Sequence, residues 1–224
     1  MHRMITLGAA LLALVAGVAL WLGTSRAPTP GDLPFAAIAE EGAADIDTST
    51  IKDMTLGNSE APVTVIEYAS FTCPHCARFH ADQFQKLKKE YIDTGKVYFI
   101  YRDVYFDRFG LWASMVARCG GKEKFFGIAG MIFEHQREWI GDGKDPVAMV
   151  NRLRKFAKIA GLDDDKLDAC LKDETWAKTL FTWYRENAEA DGIDATPTLV
   201  INGEKVTNRP YDDLKAIIDK KLQG

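Results

Sequence analysis

The chain has 224 residues, 47% hydrophobic and 27% charged, proportions of a globular protein with one ordinary domain and room for an insertion. Its formal net charge of −4 removes any electrostatic reason to expect nucleic-acid binding. Four cysteines, Cys73, Cys76, Cys119 and Cys170, are too few for a disulfide-dense scaffold. An even count fits one reactive pair and one structural pair.

His2 and Arg3 precede an uncharged run from Ile5 to Leu22 in which Thr6 alone has a polar side chain. As a helix this run would reach about 27 Å, close to the hydrocarbon thickness of a bilayer. Leu22-Gly23-Thr24-Ser25-Arg26 matches a small-x-small cleavage site poorly, so residues 1–26 are expected to form an uncleaved signal-anchor in preference to a cleaved signal peptide. Either way the remainder of the chain would face an oxidising exterior, which predicts a periplasmic protein. Residues 27–52, rich in Pro, Gly, Ala, Asp and Thr without a sustained period, read as a tether.

The folded domain is expected from residue 53 to residue 224. Met54 to Leu56 can form a short strand, and Val63 to Tyr68 is β-branched and largely apolar on both parities, as a strand covered on both faces should be. A helix is predicted from Pro74 to Tyr91, then a second buried strand from Val97 to Tyr101. Residues of about 105–191 carry helical patterns and no convincing strand. Asp145-Pro146 starts one of these helices and Gly161 stops it. Thr198 to Ile201 is a strand, Asn202-Gly203 a hairpin turn, Glu204 to Val206 the returning strand, and Tyr211 to Leu222 a closing amphipathic helix. The order is β-α-β, helical insert, β-β-α.

Cys73-Pro74-His75-Cys76 falls at the first strand-to-helix junction. A helix N-terminus offers unpaired N–H groups and about half a positive charge, so a sulfur there favours the thiolate, the form that attacks disulfides. Cys76, one turn on, can close a disulfide with Cys73. Pro74 suits the first helical turn, where its missing N–H costs nothing. His75, if cationic and close to the sulfur, would add to the stabilisation. Glu67, six positions before Cys73, is the one ionisable side chain in an otherwise apolar strand. An isolated carboxylate there is costly, so burial favours its neutral acid and lets it exchange a proton with Cys76; a strand-edge carboxylate reaching water is the alternative. Zinc held by the two cysteines with His75 or His80 is the competing use of CxxC, although a structural zinc site wants four ligands. Haem attachment fails because Ala77, not histidine, follows Cys76.

The frame, with CxxC at its first junction and Thr196-Pro197 before the third main strand, resembles the thioredoxin fold. The CPHC motif and the long helical insert are similar to the DsbA family of exported thiol oxidases. The resemblance implies an α/β thioredoxin fold with an all-helical insertion, preceded here by the N-terminal hydrophobic segment. It implies a dithiol oxidase that donates the Cys73–Cys76 disulfide to reduced exported proteins, with no bound cofactor and no metal. For such proteins the potential is about −120 mV against about −270 mV for thioredoxin, roughly 7 kcal/mol for two electrons. A DsbB-like, quinone-linked membrane oxidase is the implied reoxidising partner, and a monomer is expected. Thr196-Pro197 is expected to be the cis-proline loop that faces CxxC and pairs with an extended substrate through the Thr196 backbone.

Thr196 departs from the valine of the best-known exported oxidases and matches the threonine of disulfide isomerases. An isomerase or reductase kept reduced by a membrane donor is therefore the alternative reading. A membrane-tethered metal-handling or interaction protein using CxxC as ligands is the rival from another class. Cys119 and Cys170, 51 positions apart on apolar helix faces, are expected to form a structural disulfide. Two packed thiols or a second redox pair are the alternatives.

Overall fold

The computed structural model describes residues 46–223 of the chain. The predicted hydrophobic segment, and the predicted tether up to residue 45, lie outside the described residues. Among the described residues no helix is long and apolar enough to cross a membrane.

Five strands form one sheet in the order β1-β3-β2-β4-β5: β1 (Met54–Leu56), β2 (Val63–Ala69), β3 (Val97–Asp103), β4 (Thr198–Ile201) and β5 (Glu204–Thr207). Only the β2–β3 pair is parallel, which requires the crossover that the first helix supplies. β2 is central, and alternation along it decides what each residue meets. Val63, Val65 and Ala69 join the main core, and Glu67 shares their face; Tyr68 belongs to a smaller cluster with Val104 and Val200. Asn202 and Gly203 take φ of 46° and 83° between β4 and β5, the left-handed pair that a two-residue hairpin needs.

The first helix, α1, covers residues 74–92 but is not uniform. α-Helical turns at Pro74–Phe79 and Gln85–Leu87 alternate with wider π turns at His80–Phe84 and Lys88–Ile92. Sequence periodicity does not register these π turns, because the buried residues Cys76, Phe79, His80, Phe84, Leu87 and Tyr91 keep the three- and four-residue spacings of a regular helix. Six helices fill the insert: α2 (Arg108–Cys119), α3 (Gly121–Glu134), α4 (Gln136–Ile140), α5 (Pro146–Ile159), α6 (Asp164–Leu171) and α7 (Glu174–Ala190). Asp107, Asp145, Asp163 and Asp173 cap α2, α5, α6 and α7 by accepting from backbone N–H groups. The last helix, α8 (Tyr211–Lys221), follows β5.

The insert is packed into the core rather than appended to it. Helix α2 is buried over nearly its whole length, and at its last turn Arg118 donates to Asp103 of β3 at 2.7 Å, with both side chains buried. Arg118 also donates to the Lys52 carbonyl at 3.0 Å, and Thr48 donates to Glu186 at 2.7 Å. Residues 48–52, expected at the end of the tether, are thus fastened to the domain. Cys119 and Cys170 are joined in a disulfide with Cα atoms 6.0 Å apart, tying the end of α2 to α6. Of the three arrangements open to these cysteines, the bond excludes two packed free thiols.

Candidate active site

Cys73 is the N-cap of α1 and Pro74 its first helical residue, as the spacing required. The loop before it is braced from two directions. Thr72 donates to Asp107 at 2.9 Å, and the Gln136 side-chain amide donates to the carbonyls of Phe71 at 2.8 Å and Cys73 at 2.9 Å. Cys73 is only 8% exposed, because the loop before β4 lies over it. In that loop the Thr196-Pro197 bond is cis, and the Cys73 thiol donates to the Thr196 carbonyl at 3.6 Å. The expected juxtaposition of CxxC and Thr196-Pro197 is present.

The two sulfurs are driven apart electrostatically. A hydrogen bond from the Cys76 thiol is the largest cause that lowers Cys73, from 9.0 to about 5. The Thr196 side chain and the backbone N–H groups of Cys76 and His75 lower it further, against the opposing effect of burial. Cys76 is fully buried, and burial pushes its thiol far above the ordinary range, helped by Cys73 and by the negative charge of Glu67. One sulfur is a stable anion and its partner a proton holder.

His75 meets Cys73 through its backbone. Its ring is exposed and its Nδ1 accepts from the Arg78 guanidinium at 2.7 Å, so it contributes to Cys73 through its backbone N–H. Glu67 is fully buried, which removes the strand-edge alternative. It is not isolated, however: its Oε2 lies 3.0 Å from Nε2 of His80, a residue only 5% exposed. Both candidate zinc histidines therefore face other residues, and among the described residues no three His, Cys, Asp or Glu side chains are grouped to hold a metal ion.

Sequence reading weighs His80 only as a zinc ligand and does not mark Gln136 at all. His80 stands four positions after Cys76, on the same helix face, and that spacing is a usable signal. Gln136 lies 63 positions from Cys73, and nothing local marks it.

A helix-capping CxxC opposite a cis-proline, with an acid buried beneath it, defines a thioredoxin-type dithiol–disulfide centre. The chain matches the Thioredoxin family profile over residues 49–220. It is 31% identical over 178 residues to disulfide bond formation protein D of Bacillus subtilis, covering 75% of this chain and 77% of that protein. The crystal structure of Wolbachia pipientis alpha-DsbA1 superposes with a TM-score of 0.71 at 29% identity, covering 77% of this chain and 92% of that one. Oxidised BdbD from Bacillus subtilis gives 0.68 at 28% identity, with 77% and 94% covered. Against a Rickettsia bellii relative, 31% identical over 172 residues, the chain spans 65% of that protein's length. This chain belongs to the DsbA family of thioredoxin-like proteins.

Proposed function

We propose that the protein is a DsbA-like thiol:disulfide oxidoreductase that donates the Cys73–Cys76 disulfide to reduced exported proteins. A substrate thiolate attacks Cys73 Sγ; the Cys73–Cys76 bond breaks, and Cys76 leaves with the electron pair and takes up a proton. A second substrate thiolate then attacks the substrate sulfur of the mixed disulfide, and Cys73 leaves as a thiolate without needing a proton. The substrate dithiol loses two electrons and two protons, one proton going to Cys76 and the other to solvent.

The observation that carries this reading is the placement of Cys73 at the N-cap of α1, against the cis Thr196-Pro197 loop, a setting that holds its thiol low, at about 5. An anion that stable favours the dithiol form and makes the disulfide a ready oxidant. In this reading Glu67 is the proton partner of Cys76, Pro74 and the His75 backbone tune the helix start, and Thr196-Pro197 aligns the substrate chain. The redox-active disulfide is the only redox group required. Regeneration falls to a DsbB-like quinone-linked membrane oxidase, and the compartment is the periplasm, reached through the N-terminal hydrophobic segment as an anchor or a cleaved signal. The protein works as a monomer.

The test is the equilibrium potential of the Cys73–Cys76 couple, alongside oxidation of a reduced, unfolded secreted protein. A potential near −120 mV with rapid oxidation supports donation. A value near −270 mV would assign the protein to reduction or isomerisation instead.

A further inference from the structure

Resting on the reading of Glu67 as the proton partner of Cys76, we infer that His80 is the residue through which that proton reaches solvent. Glu67 is fully buried in the central strand, flanked in register by Tyr101 of β3 and Leu199 of β4, so a proton on it needs a carrier. One carboxyl oxygen, Oε2, meets His80 Nε2 at 3.0 Å. The other, Oε1, is buried with no hydrogen-bond partner, a costly arrangement for a group with only a structural task.

His80 is placed between that acid and the outside. It lines a groove of about 740 Å³ between α1 and the α3–α4 segment, together with Ala77, Arg78, Phe84 and Phe133. An imidazole can accept a proton on one nitrogen while releasing one from the other, which a lysine or arginine partner cannot do. The ring is held at a fixed angle for this. It stacks on Phe133 at 4.0 Å, lies tilted against Phe84 at 4.7 Å, and meets Tyr101 edge-on at 6.3 Å. His80 also opens the first π turn of α1, a departure from regular helix that recurs at functional positions.

The groups around it are few. Glu67 faces it from β2, Tyr101 from β3 and the Phe133 ring from α3, while Cys76 precedes it by one turn on α1. Arg78, Glu134, His135, Arg137 and Glu138 line the groove on its solvent side. His80 acts through its contact with Glu67, so it is a positioning and proton-carrying residue.

Ring closure isolates the step. Cys73 of the full chain is first linked to glutathione; Cys76 must then lose its proton, attack Cys73 Sγ and expel glutathione as a thiolate. His80→Gln keeps a donor for Glu67 but cannot carry a proton. It should slow closure by about a hundredfold or more at neutral pH, the lower end of what positioned acid–base groups supply, and alter the pH profile of closure. Thiolate absorbance of Cys73 should titrate as in the unaltered protein. His80→Ala should be slow as well, with a rate that rises with added imidazole, which can enter through the groove. Closure at the wild-type rate in His80→Gln, with Glu67→Gln slow, would overturn the role of His80 while leaving Glu67 intact. Wild-type rates in both would sink the Glu67 reading itself. Slow closure in His80→Ala that imidazole does not restore would make His80 a packing residue only.

Discussion

Lowering the pH from 7 to 5 should weaken the reduced protein much more than the oxidised one. Cys73 ionises at about 5 when folded and at 9.0 ordinarily, so its folded pKa is depressed. Such a group contributes stability that is complete above the unfolded value and disappears as pH falls through the folded one. At pH 7, two units above the folded value, the contribution is about 3 kcal/mol; by pH 5 about 2 kcal/mol of it has gone. The oxidised protein has neither thiol, and Cys76 stays protonated over this pH range in the reduced one, so subtracting the two unfolding free energies isolates Cys73. Urea unfolding of both forms at each pH provides the measurement. The same anion sets the potential. Above about pH 5 reduction takes up one proton, on Cys76, and the potential should fall by about 30 mV per pH unit; below that it takes up two and the slope doubles. A stability difference that does not change between pH 7 and 5, or a slope of about 60 mV continuing to pH 8, would show an ordinary thiol and refute the reasoning.

Other perturbations separate the supports of the site. Replacing Gln136 with alanine removes two buried hydrogen bonds to the CxxC loop and should cost about 1–3 kcal/mol in urea unfolding, with the Cys73 titration moving toward that of a free thiol. Replacing both Cys119 and Cys170 with alanine opens a loop of 51 residues. In the chain-entropy account this lowers stability by about 4 kcal/mol, while intact-mass analysis after thiol blocking should find two alkylated cysteines in the unaltered oxidised protein once the active-site pair is selectively reduced. Arg118→Met leaves Asp103 charged and buried without its partner, and a loss of about 3–5 kcal/mol is expected by thermal or urea denaturation.

The order of elements was readable because each depends on local pattern. Val63 to Tyr68 is apolar on both parities, Asn202-Gly203 has the residues a two-residue turn demands, and Asp145-Pro146 carries a helix start in two positions. The CxxC chemistry was readable for the same reason: a cysteine followed by proline at a strand-to-helix junction sits on the first turn, whatever the rest of the chain does. Interactions across long separations were not readable in this way. Gln136 reaches the Cys73 carbonyl from another helix, and the ring of His75, adjacent in sequence, turns to Arg78. Glu67 could be marked as buried from its strand, but its pairing with His80 depends on how α1 lies over β2.

The sequence by itself determined which sulfur could be an anion, since a helix N-terminus is a property of the local chain. Tertiary structure alone decided how strongly that anion is held and what lies beneath it. The cis loop at Thr196-Pro197, the Gln136 brace and the Glu67–His80 pair all meet CxxC from distant positions. Electrostatic interactions depend on distance and burial in three dimensions, and neither is encoded in spacing along the chain.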